Sequence, residues 1–153
     1  MAQKPLKRHD ALKPLSREHH YGLLLSWKIR TGFSKNISAE RIKIYADWFY
    51  KTQLIPHFEL EEAEIFTILN PDHEGIKKVL EDHKRLHYLF TEEPDIETAL
   101  IAIERELEQH IRFEERVLFP EIQKVATETQ MIRIEKIHQP EAFQDKLDDE
   151  FWR

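Results

Sequence analysis

The chain has 153 residues, the length of one ordinary domain, and 34% of them are charged. Its 23 lysines and arginines against 29 aspartates and glutamates give a net charge of −6, which disfavours nucleic acid as a partner. The absence of cysteine excludes disulfides, iron–sulfur clusters and cysteine nucleophiles, and three glycines are too few for a turn-rich β fold. We therefore expect a single all-helical domain over residues 1–153.

The hydropathy pattern predicts a cytoplasmic protein. No apolar run approaches the roughly 18 residues of a membrane span, so no membrane partner is expected. The N-terminal segment is basic but lacks the apolar stretch of a signal peptide. We expect a monomer or a weak homodimer.

Helical periodicity and punctuation residues predict four long helices. In chain order they cover about residues 16–30, 39–69, 73–90 and 96–125. The candidate N-caps are Ser16, Ser38, Asp72 and Asp95, and the candidate stops are Thr31-Gly32, Asn70-Pro71 and the stretch before Pro94. Pro56 and Pro120 lie inside the second and fourth helices, where each predicts a kink or a break.

Four helices with short connections favour an antiparallel up-down-up-down four-helix bundle, with its core over about residues 12–125. The remainder, 127–153, is predicted as a short C-terminal helix at about 129–137 followed by an amphipathic tail. In that tail Phe143, Leu147 and Phe151 recur every four residues, the spacing of one helical face. We expect the tail to pack on its own bundle rather than to form a dimer contact.

An internal near-repeat contains four of the nine histidines. The first copy reads Glu18-His19, then His57-x-x-x-Glu61-Glu62; the second reads Asp82-His83, then His110-x-x-x-Glu114-Glu115. Each copy thus has an acid–histidine pair on one helix and a histidine followed by two glutamates on the next. Two such hairpins related by an approximate twofold axis would face a common centre.

Histidines and glutamates also interrupt the apolar stripes of the four helices. Stepping by three or four residues gives Leu12, Leu15, His19, Leu23, Ser26; then Tyr50, Leu54, His57, Glu61, Ile65, Ile68; then Ile76, Leu80, His83, His87, Phe90; then Leu100, Ile103, Leu107, His110, Glu114, Val117, Glu121. In the first helix a neighbouring phase places His20 inward instead of His19. His9, His73 and His138 lie at helix edges or in loops and are expected at the surface.

A metal cation explains this polar set best. A glutamate in an apolar core costs several kcal/mol unless it is protonated, paired or bound to a cation, and no lysine or arginine lies on the four stripes. Positions i and i+4 are neighbours on a helix, so His57 with Glu61 and His110 with Glu114 can each hold one ion together. Imidazoles suit iron and similar ions, and a carboxylate can bridge two of them. Glu62 and Glu115 should turn away from the centre, as hydrogen-bond acceptors or substitute ligands.

The ordered set resembles the hemerythrin-like, or HHE cation-binding, family over roughly residues 12–125. The matching motifs are Ser-Arg-Glu-His19-His20, His57-x-x-x-Glu61-Glu62, Asp-His83-x-x-x-His87 and His110-x-x-x-Glu114-Glu115-x-x-Leu-Phe-Pro. Ferritin-like bundles are disfavoured because they need two Glu-x-x-His motifs, and this chain has one, Glu135 to His138, outside the four main helices.

The resemblance implies a non-haem di-iron centre of two carboxylate-bridged iron ions, with other divalent cations such as zinc as alternatives. The terminal ligands would be His19, His57, His83, His87 and His110, and the bridges Glu61 and Glu114. Oxygen-carrying members have their second bridging acid one place later, at the position of Glu115, and many members use four histidines, which leaves His87 open.

The function implied is binding of oxygen, nitric oxide or iron for sensing, storage or stress response, with no catalytic residue. The alternative is a di-iron redox enzyme for iron–sulfur repair or for reduction of nitric oxide or peroxide. The absence of cysteine lowers the repair alternative, because the family members proposed for that role carry an additional cysteine-containing domain.

Overall fold

In a computed structural model of the protein, which describes residues 7–138 and 142–153, every regular element is helical. The α-helices are α1 (Lys13–Ser34), α2 (Ala39–Phe49), α3 (Ile55–Leu60), α4 (Glu74–Thr91), α5 (Ile96–Phe113), α6 (Phe119–Val125) and α7 (Glu128–Ile137). Short π-helical turns (Tyr50–Leu54, Glu61–Ile65 and Glu114–Leu118) and a 3₁₀ turn (Phe66–Ile68) join some of them. None of the helices in the described part of the chain combines the length and the apolar composition that a membrane span requires.

Two of the predicted N-caps are confirmed and two are wrong. Ser38 accepts a hydrogen bond from the backbone N–H of Arg41, and Asp95 accepts one from that of Thr98. Helix α4 is capped by His73, whose ring accepts from the N–H of Gly75, rather than by Asp72. Helix α1 starts before Ser16, with Leu12 at its N-cap position.

The predicted stop at Thr31-Gly32 is also wrong, because Gly32 lies inside α1. The helix ends instead where Asn36 adopts a φ of 60°, a left-handed conformation that asparagine tolerates. Gly32 is buried against the tail. A Cβ at this position would lie 2.9 Å from both the Phe151 ring and the Ile42 side chain, so the glycine permits their close approach.

Neither internal proline breaks its helix. The helical run continues from residue 39 to 68 and from 96 to 125, and a π-helical turn ends shortly before each proline. A proline ring collides with the carbonyl group four residues earlier in a regular α-helix, and a wider turn relieves that collision. The turns also shift the buried stripe: Leu118 is buried where the α-helical spacing predicted Val117, which is 41% exposed.

Two apolar clusters form the core. The large apolar cluster includes Leu25, Ile29, Ile42, Phe49, Leu54, Phe58, Leu86, Phe90, Ile103, Leu107 and Ile111. The small apolar cluster includes Leu12, Leu15, Ile65, Phe66, Ile76, Val79, Leu118, Phe119, Ile122, Met131 and Ile134. Helix α5 packs against α1, α2 and α4, and α1 also contacts α2.

The chain passes between these two clusters four times. Helix α1 begins in the small cluster and ends in the large one, and the run 39–68 passes in the reverse sense. Helix α4 repeats the first direction, and the run 96–125 the second. The residues at the crossing points therefore meet in one layer between the two clusters.

The C-terminal segment packs on the rest of the chain without forming the predicted helix. Residues 142–153 are irregular; Phe151 and Trp152 are buried in the large apolar cluster, whereas Leu147 is 58% exposed. The spacing of four was therefore misleading, although docking onto the helices is confirmed. The short helix before the tail is confirmed as α7, and residues 139–141 lie outside the described part of the chain.

Candidate metal centre

Six side chains meet in the layer between the two apolar clusters. The His/Glu cluster, as we call it, consists of His19 on α1, His57 on α3, His83 on α4, His110 on α5, and Glu61 and Glu114 in π-helical turns. All six are buried. They form two groups, one of His19, His57, Glu61 and Glu114, and the other of Glu61, His83, His110 and Glu114. Within each group the candidate ligand atoms lie within 4.8 Å of one another, so each group could hold a metal ion.

Both glutamates belong to both groups. Glu61 places Oε1 at 3.2 Å from His57 Nε2 and at 3.4 Å from His83 Nε2, which are histidines of different groups. Glu114 does the same, with Oε2 at 3.0 Å from His19 Nε2 and Oε1 at 2.7 Å from His110 Nε2. Each carboxylate therefore lies between the two groups, the position from which one carboxylate can bind two ions.

The local backbone explains how the glutamates reach this position. Glu61 and Glu114 are each the first residue of a π-helical turn, four residues after a cluster histidine on the same helical run. One turn of helix places the two side chains on the same face, so His57 with Glu61 and His110 with Glu114 project into the centre together. The wider turn that follows, of a kind frequent at functional sites, lets the helix continue into the small apolar cluster.

A second set of carboxylates holds the outer nitrogen of every cluster histidine. We call Glu18, Glu62, Asp82 and Glu115 the outer carboxylates. Their distances to Nδ1 are 2.7 Å (Glu18 to His57), 3.1 Å (Glu62 to His83), 2.9 Å (Asp82 to His110) and 2.9 Å (Glu115 to His19). A carboxylate only accepts, so each Nδ1 carries the proton, and the lone pair of a neutral ring is then on Nε2, facing the centre.

Nε2 of His19 and Nε2 of His57 lie within hydrogen-bond distance of each other, at 3.1 Å, but the other inner atoms lack comparable partners. Both carboxylate oxygens of Glu61 and Glu114, and Nε2 of His83 and His110, are buried without a geometrically sound hydrogen bond. Among the described residues, no lysine or arginine pairs with either glutamate. Buried polar atoms in this state cost free energy unless a ligand satisfies them. Imidazole nitrogens and carboxylate oxygens are donors that a transition-metal cation accepts, so the residues fit a metal ion.

In the metal-free cluster, burial and neighbouring charges favour retained protons. Burial, and then the charge of Glu114, raises the pKa of Glu61 to about 8. Burial also opposes ionisation of Glu114, but the charge of His110 lowers its pKa well below the ordinary value. The glutamate pair thus retains one proton at neutral pH. Burial disfavours the charged form of His110, yet Glu114 and Asp82 raise the pKa of that ring to about 10.

The structure brings together six of the seven predicted ligands. His19, rather than the exposed His20, reaches the centre, and Glu114 is the inner acid while Glu115 binds His19 from outside. His87 belongs to neither group; its ring is exposed and its Nδ1 lies 2.7 Å from the hydroxyl of Tyr50.

Of the two alternatives for Glu62 and Glu115, the structure shows hydrogen-bond acceptance from cluster histidines. The matching roles of Glu18 and Asp82 were missed. Both residues directly precede a cluster histidine in the internal repeat. Each acid contacts a histidine other than the one that follows it in the sequence: Glu18 contacts His57, and Asp82 contacts His110. The repeat therefore contained the signal, although helical spacing did not reveal the partner.

The three remaining histidines, which were predicted to lie at the surface, are partly buried. His9, His73 and His138 are each of intermediate exposure. His138 Nε2 lies 3.1 Å from Glu18 Oε2, so the segment after α7 contacts one of the outer carboxylates.

Comparison of the chain with protein-family models, curated proteins and solved structures finds no match.

Proposed function

We propose that the protein is a non-haem di-iron protein of hemerythrin-like type, in which the His/Glu cluster binds two iron ions. The observation that carries the proposal is the sharing of Glu61 and Glu114 between two groups of buried ligands. Two histidines and two shared carboxylates per group form a nitrogen and oxygen donor set that suits iron, and zinc is the main competitor.

The chain's own residues would tune and protect such a centre. Four outer carboxylates hold the histidine rings in one orientation and direct Nε2 inward, and a hydrogen bond of this kind raises the basicity of a ligand. The cluster side chains are themselves buried, and apolar side chains lie on both sides of their layer. Bound iron would supply reversible redox chemistry and an affinity for oxygen or nitric oxide. The role is binding for sensing, storage or stress response in the cytoplasm.

The four passes of the chain between the apolar clusters support the proposed architecture. Passes that alternate in direction are those of an antiparallel up-down-up-down bundle, and here each pass contributes ligands at its midpoint. An arrangement of this kind explains how a repeat with distant motifs can form one centre.

Reconstitution with ferrous iron under argon tests the proposal. Metal analysis after desalting should give about two ions per chain, one for each group, and the protein should change its optical absorption on exposure to air. Replacing both inner acids in a Glu61→Gln/Glu114→Gln variant should abolish this binding. A Glu59→Gln/Glu108→Gln variant changes the same number of charges on the same helical runs outside the cluster and should retain it. Wild-type protein that retains no metal would refute the proposal.

A further inference from the structure

The two sides of the His/Glu cluster differ in access from solvent. Beside His19 and His57 the internal space is about 10 Å³, no more than one water molecule needs. Beside His83 an open groove of about 660 Å³ lies between α4 and the helical run 39–68. This volume is in the range of sites for organic ligands and far exceeds the space that a diatomic molecule needs.

The groove combines apolar walls with a polar edge. The apolar side chains of Ile55, Phe58 and Leu80 line it, and so do the polar residues Tyr50, His83 and His87. Phe58 stacks on the ring of His83 at a centroid distance of 3.9 Å, so an aromatic surface continues from the wall to the cluster. Flat apolar molecules gain contact area and favourable ring geometry on such a surface.

Tyr50 and His87 together present a hydrogen-bond donor to the groove. Tyr50 is buried, and its hydroxyl lies 2.7 Å from His87 Nδ1. A buried tyrosine O–H needs an acceptor, so we assign it as donating to Nδ1. The proton of the neutral imidazole is then on Nε2, and the exposed ring of His87 offers that N–H to a ligand.

The charges along the groove disfavour an anion. Two carboxylates, Glu59 and Glu62, line it against one ammonium group, that of Lys84. The Lys84 ammonium is itself 3.5 Å from the carboxylate of Glu81, which offsets part of its charge. A ligand that accepts the hydrogen bond of His87 without carrying negative charge therefore fits best.

We propose that this groove is a binding site for a small, uncharged aromatic carbonyl compound, with its oxygen on His87 Nε2–H and its ring against Phe58 and Leu80. The bound molecule would lie beside His83. This inference goes beyond the proposed function and does not depend on metal, because each contact that it uses is made by the groove itself.

Titration of the metal-free full chain with acetophenone, followed by NMR, tests the inference. We expect saturable shifts of the Ile55 and Leu80 methyl groups and of the His87 ring. Toluene, which lacks the acceptor, should bind about fivefold more weakly, the worth of about one hydrogen bond. Benzoate, which has the same ring with a negative charge, should also bind more weakly than acetophenone.

Variants distinguish this groove from other apolar surfaces. Leu80→Trp should fill the groove and weaken acetophenone at least tenfold, whereas Ile101→Trp, in a separate surface groove, should leave binding unchanged. His87→Ala should remove the preference for acetophenone over toluene. The inference is overturned if wild-type protein shows no saturable shift at Ile55 and Leu80, if benzoate binds more tightly, or if Ile101→Trp weakens binding as much as Leu80→Trp. Iron analysis of the same samples verifies that they are metal-free, so the result for the groove is independent of the result for metal binding.

Discussion

At the scale of single residues, each cluster histidine uses its two ring nitrogens for different purposes. Nδ1 contacts an outer carboxylate, and Nε2 faces the buried glutamates. Within each copy of the repeat, the acid that precedes the first histidine contacts the ring of the second histidine, as Glu18 contacts His57. Between the copies, Glu62 holds His83 and Glu115 holds His19. The four contacts cross-link the helices that carry the ligands, so ligand orientation depends on the assembled fold.

An outer carboxylate should therefore control metal affinity without touching the metal. Asp82→Asn keeps an oxygen near His110 but removes the charge that supports the ring, so iron affinity should fall about 10- to 100-fold. Competition with a chelator of known affinity measures the change. Glu81→Gln alters the adjacent, exposed carboxylate on α4 and serves as the matched control. Equal affinities of the two variants would contradict a role for the outer carboxylate.

The buried titratable groups predict opposite pH responses of stability and metal binding. Without metal, the pKa of His110 is raised from 6.5 to about 10 and that of Glu61 from 4.5 to about 8. Both groups hold protons more tightly in the folded chain, so the stability they contribute is present at low pH and is lost as the pH rises towards these folded values. Metal displaces the same protons, so metal affinity should rise with pH.

Urea unfolding at pH 6, 7 and 8 measures the first effect. The free energy of unfolding of the metal-free protein should decrease over this range, and the stabilisation by metal should increase. Glu61→Gln removes one of the two groups and should flatten the metal-free profile. A metal-free protein that becomes more stable from pH 6 to pH 8 would show that these protons are not retained.

At the scale of elements, the tail is held by a buried charge rather than by helical periodicity. Lys28 is almost fully buried on α1, and its ammonium lies 2.6 Å from Asp145 and 2.8 Å from the hydroxyl of Tyr45. The same ammonium lies 3.8 Å from the centre of the Trp152 ring, a cation–π contact. An irregular segment can therefore dock firmly because its few specific contacts satisfy a charge that α1 cannot expose.

Removal of the carboxylate of Asp145, the partner of Lys28, should destabilise the protein. Asp145→Asn leaves the Lys28 ammonium buried without its counter-charge, a change that costs about 3–5 kcal/mol in fully buried pairs and less here, because Asp145 is partly exposed. Denaturation followed by tryptophan fluorescence measures the loss. Adding Lys28→Met to the Asp145→Asn variant should recover part of the lost stability, because the buried charge is then absent. Asp148→Asn, at an exposed acid of the tail, should have little effect.

At the scale of the whole molecule, the polar layer divides the core into two apolar halves. Leu15 and Leu25 lie in different clusters on either side of His19, and Val79 and Leu86 flank His83 in the same way. Such a division interrupts the apolar burial that holds the helices together, and metal bound across the layer would compensate for it. Close approach elsewhere supports the packing: a Cβ on Gly22 of α1 would lie 2.6 Å from the Ile111 side chain of α5.

Chelation should therefore lower the stability of the whole domain. An ion bound only to the folded state stabilises it by about 2.7 kcal/mol at a free concentration of 100 times Kd, and its removal should lower Tm accordingly. Amide exchange should increase most in the midpoints of the four helical passes. Differential scanning calorimetry and hydrogen exchange, each with and without chelator, measure the two effects. Unchanged Tm and exchange after complete metal removal would mean that the layer is stable without metal.

The sequence by itself determined the elements and the inward residues, because helical spacing, capping residues and the cost of buried carboxylates are local or compositional. Helical spacing placed five of the six cluster side chains on inward faces and left His19 and His20 as alternatives for the sixth. The start of α1, the cap of α4 and the π-helical turns departed from those local rules because neighbouring packing and proline geometry determine them.

Only the tertiary structure decided between His19 and His20, between Glu114 and Glu115, and on the placement of His87 beside Tyr50. It alone paired the outer carboxylates with histidines of other helices, and it alone showed that the docked tail is irregular. These outcomes depend on which side chains meet across helices, and contacts between residues as far apart as His19 and Glu115 have no periodic signature in the chain. The sequence could thus indicate a candidate metal centre. The sharing of Glu61 and Glu114 between two groups of ligands, and the groove beside His83, could be recognised only in the folded molecule.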